Sequence, residues 1–328
     1  MTYLRRRLLF YLIAFWASIT LNFLIPRLMP GNAAEDLMMR MHGKVSPYAL
    51  KALESEFGLA QHTSLLTQYG QYLVALAHGN FGVSITYFPT PVIVVIEQAL
   101  PWTLGLIGVA TVISFALGTL IGIWVAWHRA SRWDRFTVPA AMFTSAFPYF
   151  WLALIFLYVF GFLFHWFPLA QAYSSSLPPA LTVPSIIDIV YHAILPAFTI
   201  VIASLGGWIL SMRNNMIPSL QEDYIQLARA AGIKDRIIMY QYAARNALLP
   251  NLTGFAMALG FIVAGAILTE IVFSYPGLGF LLFQAASNQD YPLLQALLLI
   301  ISVAVLLANL IVDLLYGRLD PRANRSGG

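Results

Sequence analysis

EDYIQLARAAGIKDRIIMYQYAARNALLP, Glu222 to Pro250, is the one long polar interval in the second half of a very apolar chain. Segments long enough to cross a bilayer flank it on both sides. Tyr224, Leu227, Ala228 and Ala231 recur at i, i+3, i+4 and i+7, which predicts a short helix over Glu222 to Ala231 with one apolar stripe. Glu222 and Asp223 put negative charge at its N-terminus, and Gly232 stands where a left-handed cap needs no side chain. A second helical run is predicted with Ile237, Tyr240, Ala244 and Leu248 on one face, leaving Pro250 in the first turn of the next membrane helix. Arg229, Lys234, Arg236 and Arg245 make the interval basic. These residues alone leave two readings open. One is a basic loop that only sets orientation in the membrane; the other is a pair of short helices suited to being gripped by another protein.

Composition fixes the solvent. The 328 residues are 59% hydrophobic and 10% charged, with a mean hydropathy of +0.75. That is too little charge for a soluble globular domain and predicts several bilayer spans. With no cysteine in the sequence, disulfides, thiol catalysis and cysteine-ligated metals are excluded. The net charge of +4 does not point to nucleic acid, because the basic residues are spread over the loops between apolar runs.

Six transmembrane helices are predicted in an all-α membrane protein, at about Leu8 to Leu28, Pro101 to Trp127, Val138 to Phe164, Ile189 to Met212, Asn251 to Phe273 and Pro292 to Tyr316. The first is retained rather than cleaved, since its apolar run is too long for a signal peptide and no small-residue cleavage site follows. Gly118 and Gly122 form a small-xxx-small pair that lets two helices approach, while Pro196 and Gly206-Gly207 should kink or loosen the fourth span. The expected organisation is an N-terminal span (1–29), an extramembrane region (30–98) with helical pieces at Pro47 to Phe57 and Gln68 to Ala77, a core of five spans (99–320) and a tail (321–328). An N-in, C-in arrangement places all but four of the 18 Lys and Arg residues in the cytoplasm. The exceptions are Arg27, Arg40, Lys44 and Lys51, at or in the long first external loop, which reports orientation weakly.

Catalytic signatures are missing. There is no phosphate-binding G-x-x-x-x-G-K-[ST], no H-E-x-x-H and no G-x-S-x-G, and the six histidines are scattered singly. Acids within or beside the spans, Glu97, Asp188, Glu270 and Asp313, lie toward helix ends rather than in the mid-membrane relay of an ion-coupled carrier. Glu270 has two readings, a group facing a translocation path and a carboxylate that snorkels or bonds a local turn. After it, SYPGLGFLLFQAASNQDYP has turn chemistry over Ser274 to Gly279 and an apolar stretch, Phe280 to Ala286, too short to span; a re-entrant or interfacial scoop fits it.

The polar interval resembles the cytoplasmic coupling loop of binding-protein-dependent importer permeases of the ATP-binding-cassette superfamily, in the dipeptide/oligopeptide branch that also handles nickel chelates and oligosaccharides. The resemblance rests on Ala228-Arg229-Ala230-x-Gly232 and Arg245-Asn246-Ala247-Leu248-Leu249-Pro250, with Gln226 standing where the general motif has glutamate. Glu270-Ile-Val-Phe-Ser-Tyr-Pro-Gly-Leu-Gly279 and the closing Leu319-Asp320-Pro321-Arg322 extend it. Met29-Pro30-Gly31-Asn32 and Gly79-Asn80-Phe81-Gly82 match as well, each with asparagine for the family's aspartate. The resemblance implies a type I importer permease that pairs with a second, related permease, two separate ATPase subunits that use ATP and magnesium, and an extracytoplasmic solute-binding protein, in a bacterial inner membrane. The chain itself would bind no cofactor and no metal. Coupling to an ATPase is then implied for Gln226, Leu227, Ala228, Arg229, Gly232, Arg245 and Pro250: Leu227 and Ala228 docking by apolar contact, Arg229 or Gln226 through polar contacts, Gly232 allowing the turn and Arg245 anchoring the loop. A pathway or scoop role is implied for Glu270, Tyr275, Gly277 and Gly279. Peptides are the expected solute, oligosaccharides or nickel chelates the variants, and an ion-coupled secondary transporter the alternative from another class.

Overall fold

The computed structural model describes residues 2–28, 64–262 and 267–319. Helices α1 (Thr2–Leu28), α2 (Leu65–Ala77), α3 (Val92–Trp127), α4 (Arg132–Ala146), α5 (Tyr149–Phe156) and α6 (Val183–Ser219) come first. Then follow α7 (Asp223–Ala230), α8 (Asp235–Ile237), α9 (Ala244–Gly260), α10 (Ile267–Val272), α11 (Leu278–Ser287) and α12 (Tyr291–Leu319). Two π-helical stretches, Leu157–Leu163 and Ile238–Ala243, continue α5 and α8. Strand pairing among the described residues is confined to one isolated bridge, Val83 with Pro91. Among the described residues, four helices are long and apolar enough to cross a membrane, and five if α4 and α5 with its π-helical continuation count as one bent span.

Helix α3 runs through three apolar clusters and makes its widest contact with α6. Near its start, Val92, Val95 and Ile96 pack with Leu278 and Leu281 of α11 and with Leu293 and Leu297 of α12. Midway, Leu106, Ile107 and Ala110 meet Leu195 and Ile200 of α6 with Phe273 and Tyr275. Near its end, Ile123 and Ala126 join Met212 and Met216 of α6 with residues from α7 to α9.

The small-residue pair acts as expected. A Cβ at Gly122 would lie 2.8 Å from the Ile209 carbonyl oxygen and 2.8 Å from the Met212 Cβ, and one at Gly118 would collide with the Trp208 Cβ. Backbone-close contact of α3 and α6 therefore requires glycine at both positions. Among helices with no hydrophobic drive to associate in lipid, such packing and buried hydrogen bonds do the work. Asn251 of α9 is buried and joins three helices, donating to Thr119 Oγ1 of α3 at 3.1 Å and accepting from Ser211 of α6 at 2.6 Å.

Several predicted spans differ from the structure. The third, expected as one helix from Val138 to Phe164, is two helices bent by 97°. Pro148 explains the break: it drives Phe147 into extended backbone (ψ 131°), where α4 cannot continue. The fifth, expected over Asn251 to Phe273, begins at Ala244, and α9 ends at Gly260; residues 263–266 lie outside the described residues. Pro250 is consequently inside α9 rather than in its first turn. The second span starts at Val92, nine residues before Pro101, and the fourth runs over Val183–Ser219 as continuous α-helix through Pro196 and Gly206-Gly207. The predicted helix at Pro47 to Phe57 lies outside the described residues, while Gln68 to Ala77 falls within α2.

Candidate functional site

Two constellations stand at opposite ends of α3. The first is built on α7. Glu222 is its N-cap without a side-chain bond, Asp223 opens it and Arg229 closes it, an order that suits the helix dipole. At its end Gly232 has φ +72°, Gly232 N–H donates to the Arg229 carbonyl (3.0 Å) and Ile233 N–H to the Ala228 carbonyl (3.2 Å). This pair of bonds is the Schellman arrangement, and Ile233 adds its apolar contact by packing on the same cluster as Ala228.

The buried face of α7 is Ile225 and Ala228, 0% and 4% exposed. The expected stripe through Tyr224, Leu227, Ala228 and Ala231 is thus corrected. Leu227 is 71% exposed and points away from the chain, as Gln226 does, while Ala228 is taken up by the chain's own core. Arg229 lies over the Trp127 ring at 5.4 Å, a cation–π contact that ties the last turn of α7 to the last residue of α3. Arg245 and Pro250 are exposed on α9. Next to Arg245, Asn246 donates to the Tyr224 hydroxyl at 2.9 Å and so holds α9 against α7.

The second helical run also shows a different face. Ile238, Met239, Ala243, Ala244 and Ala247 are buried, whereas Ile237 and Tyr240 are exposed. The π-helical stretch breaks the 3.6-residue period on which the expected face was drawn.

Close to this end, Asp134 receives two bonds from Arg213 of α6, Nε at 2.8 Å and Nη2 at 3.2 Å, and one from Ala130 N–H at 3.0 Å. Neither charge has a partner legible near it in the chain, because α4 and α6 are brought together only by the fold.

The second constellation surrounds α11. Glu270 and Tyr275 are buried, and the Tyr275 N–H donates to the Glu270 carbonyl at 2.8 Å. Glu270 Oε1 accepts from the Thr103 hydroxyl of α3 at 2.8 Å; Oε2 accepts from Gly279 N–H at 2.7 Å and Phe280 N–H at 3.2 Å. The carboxyl therefore caps α11 from outside it, which is the turn-bonded reading of the two, extended by a long-range partner the sequence did not reveal. Gly277 and Gly279 make room: a Cβ on Gly277 would strike the Glu270 carboxyl, and one on Gly279 would lie 2.7 Å from the Ile267 Cα.

Beside it, buried Asp290 caps α12 through Leu293 N–H (3.2 Å), accepts from Thr86 N–H (2.9 Å) and bonds the Ser84 hydroxyl. The 80–91 loop is thereby fastened to the junction of α11 and α12. Asn80 accepts from Gly82 N–H at 2.9 Å in an Asx turn, a task asparagine performs as well as the family's aspartate. Burial first, then the charge of Asp290, push the Tyr87 phenol above its ordinary pKa, so it stays protonated and donates to Gln284 Oε1 at 2.7 Å. Tyr87, Gln98, Trp102, Tyr173, Phe280 and Gln284 border a cleft of about 360 Å³ here.

Comparison with known proteins gives the family. Residues 118–325 match the family model described as binding-protein-dependent transport system inner membrane component. The oligopeptide transport system permease protein AppB of Bacillus subtilis is 32% identical, covering 98% of each chain. The dipeptide transport system permease protein DppB of Alkalihalophilus pseudofirmus is 31% identical over 98% of this chain and 99% of its own. The di/tripeptide transport system permease protein DppB of Pseudomonas aeruginosa is 32% identical over 98% of both. At least four apolar helices among the described residues accord with a multi-pass bacterial inner-membrane protein of this kind. The chain belongs to the family of inner-membrane permease components of binding-protein-dependent transport systems.

Proposed function

We propose that this permease forms, with a second related permease, the path by which peptides enter the cell, driven by ATP hydrolysis on separate subunits. The observation that carries the reading is α7. It is a short helix set on the joint ends of α3, α6 and α9 that hides Ile225 and Ala228 yet offers Leu227 and Gln226 outward. An exposed leucine on a capped, firmly seated helix is a handle for another protein. In this reading α7 docks in a groove on an ATPase subunit, where Leu227 supplies apolar contact and Gln226 polar contact. Arg229, stacked on Trp127, transmits rather than docks, and Arg245 faces the membrane-proximal surface. Closure of two ATPases, which hold ATP and magnesium, moves two such helices and rocks the bundles between inward- and outward-facing packings.

The arrangement has six spans with both termini inside, α9 and α10 together making the fifth. This leaves the coupling segment in the cytoplasm and the scoop outside, where a solute-binding protein delivers its load. Peptide as the solute class follows the relatives, which are named for oligopeptides, dipeptides and di- or tripeptides. The buried acids described above, Asp134, Glu270 and Asp290, are all bonded to protein groups, so none stands ready as an ion-coupling relay.

The test is purification of the tagged chain from its native host in mild detergent, followed by mass spectrometry and by uptake in liposomes. Recovery of Walker-motif ATPases and a second permease, with ATP-dependent peptide uptake, is the expected result. A chain recovered alone that transports under an ion gradient would overturn it.

A further inference from the structure

Helix α3 is the element that meets both constellations. At one end the Arg229 guanidinium sits on Trp127; at the other, Thr103 is buried and makes two bonds of opposite sense. Its hydroxyl donates to Glu270 Oε1 at 2.8 Å and accepts from the Leu278 N–H at 2.7 Å. With Glu270 Oε2 on the N–H groups of Gly279 and Phe280, the first three donors of α11 are all met by side chains of other helices. The N-cap itself, Gly277, has no side chain to offer. Residues 103 to 127 form a stretch of α-helix without proline, about 36 Å long at about 1.5 Å per residue. Glycine contacts with α6 brace that stretch.

We propose that Thr103 and Glu270 are positioning residues that lock the scoop helix to α3, so that displacement of the coupling helix reaches the scoop through α3 acting as one rod. The physical ground is the cost of any other movement. Moving α10 and α11 away from α3 would leave three groups in a buried site without the partners they have now: the Thr103 hydroxyl, the Leu278 N–H and Glu270 Oε1. What the movement serves rests on the importer reading; the locking does not.

The chain contains no cysteine, so a pair introduced at Gln98 on α3 and Gln284 on α11, which border the same cleft, reports their separation without background. In membrane vesicles this pair is expected to crosslink with a short thiol-specific reagent. Thr103→Val, which keeps the shape and loses the hydroxyl, is expected to cut the yield several-fold, and Thr103→Ser to restore it. In the assembled transporter, Thr103→Val should raise the concentration of binding protein that half-saturates ATPase stimulation by at least about tenfold, since both hydrogen bonds of the hydroxyl are lost. The maximal rate should change less. Thr103→Val protein inserted in normal amounts with undiminished crosslinking would overturn the locking. Diminished crosslinking with unchanged half-saturation would overturn its use in transmission. A parent transporter that no binding protein stimulates would instead count against the importer reading, with the crosslinking arm still deciding the locking.

Discussion

Gly206 and Gly207, neighbours on α6, should respond in opposite ways to the same added methyl group. Alanine gains about 1 kcal/mol over glycine in a helix at either position. At Gly207 nothing lies within 4 Å of the new Cβ, so that gain stands alone. At Gly206 the Cβ would overlap the Ala141 carbonyl oxygen of α4 and lie 2.6 Å from Thr144 Oγ1 and 2.9 Å from the Ala141 carbonyl carbon. Ordinary contact begins at 3.4 Å, so clearing the Thr144 hydroxyl alone demands about 0.8 Å. The Ala141 carbonyl needs more, and as helix backbone it cannot rotate aside. Overpacking of this kind costs about 1–3 kcal/mol. Because the propensity gain is common to both variants, their difference isolates the packing: Gly206→Ala should be about 1–3 kcal/mol less stable than Gly207→Ala. Thermal unfolding of both proteins in the same detergent, followed by the fluorescence of the eight tryptophans, measures it. Equal midpoints would refute the close seating of α4 on α6.

The two faces of α7 separate in the same manner. Leu227→Ala should leave the melting of the chain unchanged while weakening ATPase association about tenfold, since burying a leucine is worth about 1.5–3 kcal/mol. Ala228→Leu should instead destabilise the chain itself by about 1–3 kcal/mol; thermal melts and pull-down of the ATPase subunits check both. Gly232→Val should uncouple transport in protein that is still inserted, through about 1–2 kcal/mol of left-handed backbone strain rather than a clash, as its Cβ position is open. Gly232→Asn should largely recover uptake, and ATPase stimulation by binding protein that survives in the valine variant would contradict this. For the Asp134–Arg213 pair, each single change to alanine strands the other charge, so the double variant should unfold later than the two single losses added together. A coupling energy below about 0.5 kcal/mol in that cycle would show the pair to be incidental.

What the sequence disclosed and what it hid divide along physical lines. Features set by local chemistry were legible: the Gly232 cap, the acidic start of α7, the glycine spacing at 118 and 122, and the Y-P-G-L-G turn. Partners far apart in the chain were not. Nothing near Glu270 names Thr103, nothing near Asp290 names Ser84, and Asp134 finds Arg213 only when α4 folds onto α6. Within uniformly apolar stretches, hydropathy also loses its power to mark ends, so α3 begins at Val92, directly after Pro91, rather than at Pro101. The inward face of α7 was misjudged for a related reason. A single short helix with Leu227 on one side and Ile225 on the other offers two possible apolar faces, and only the neighbouring helix ends decide between them.

The π-helical stretch at Ile238–Ala243 bears on how this segment tolerates changes in length. A π turn accommodates one residue more than the α turn it replaces, and each residue of an α-helix turns the chain by about 100°. Deleting one of these six residues would let the segment close into regular α-helix while α7 and α9 keep their relative facing, because the π turn already absorbs the extra residue. The same deletion within the regular turns of α9 would instead rotate what precedes it by about 100° and carry Leu227 and Ala228 to other sides. A one-residue gap at the π turn in an alignment of relatives thus leaves the facing of α7 where it is.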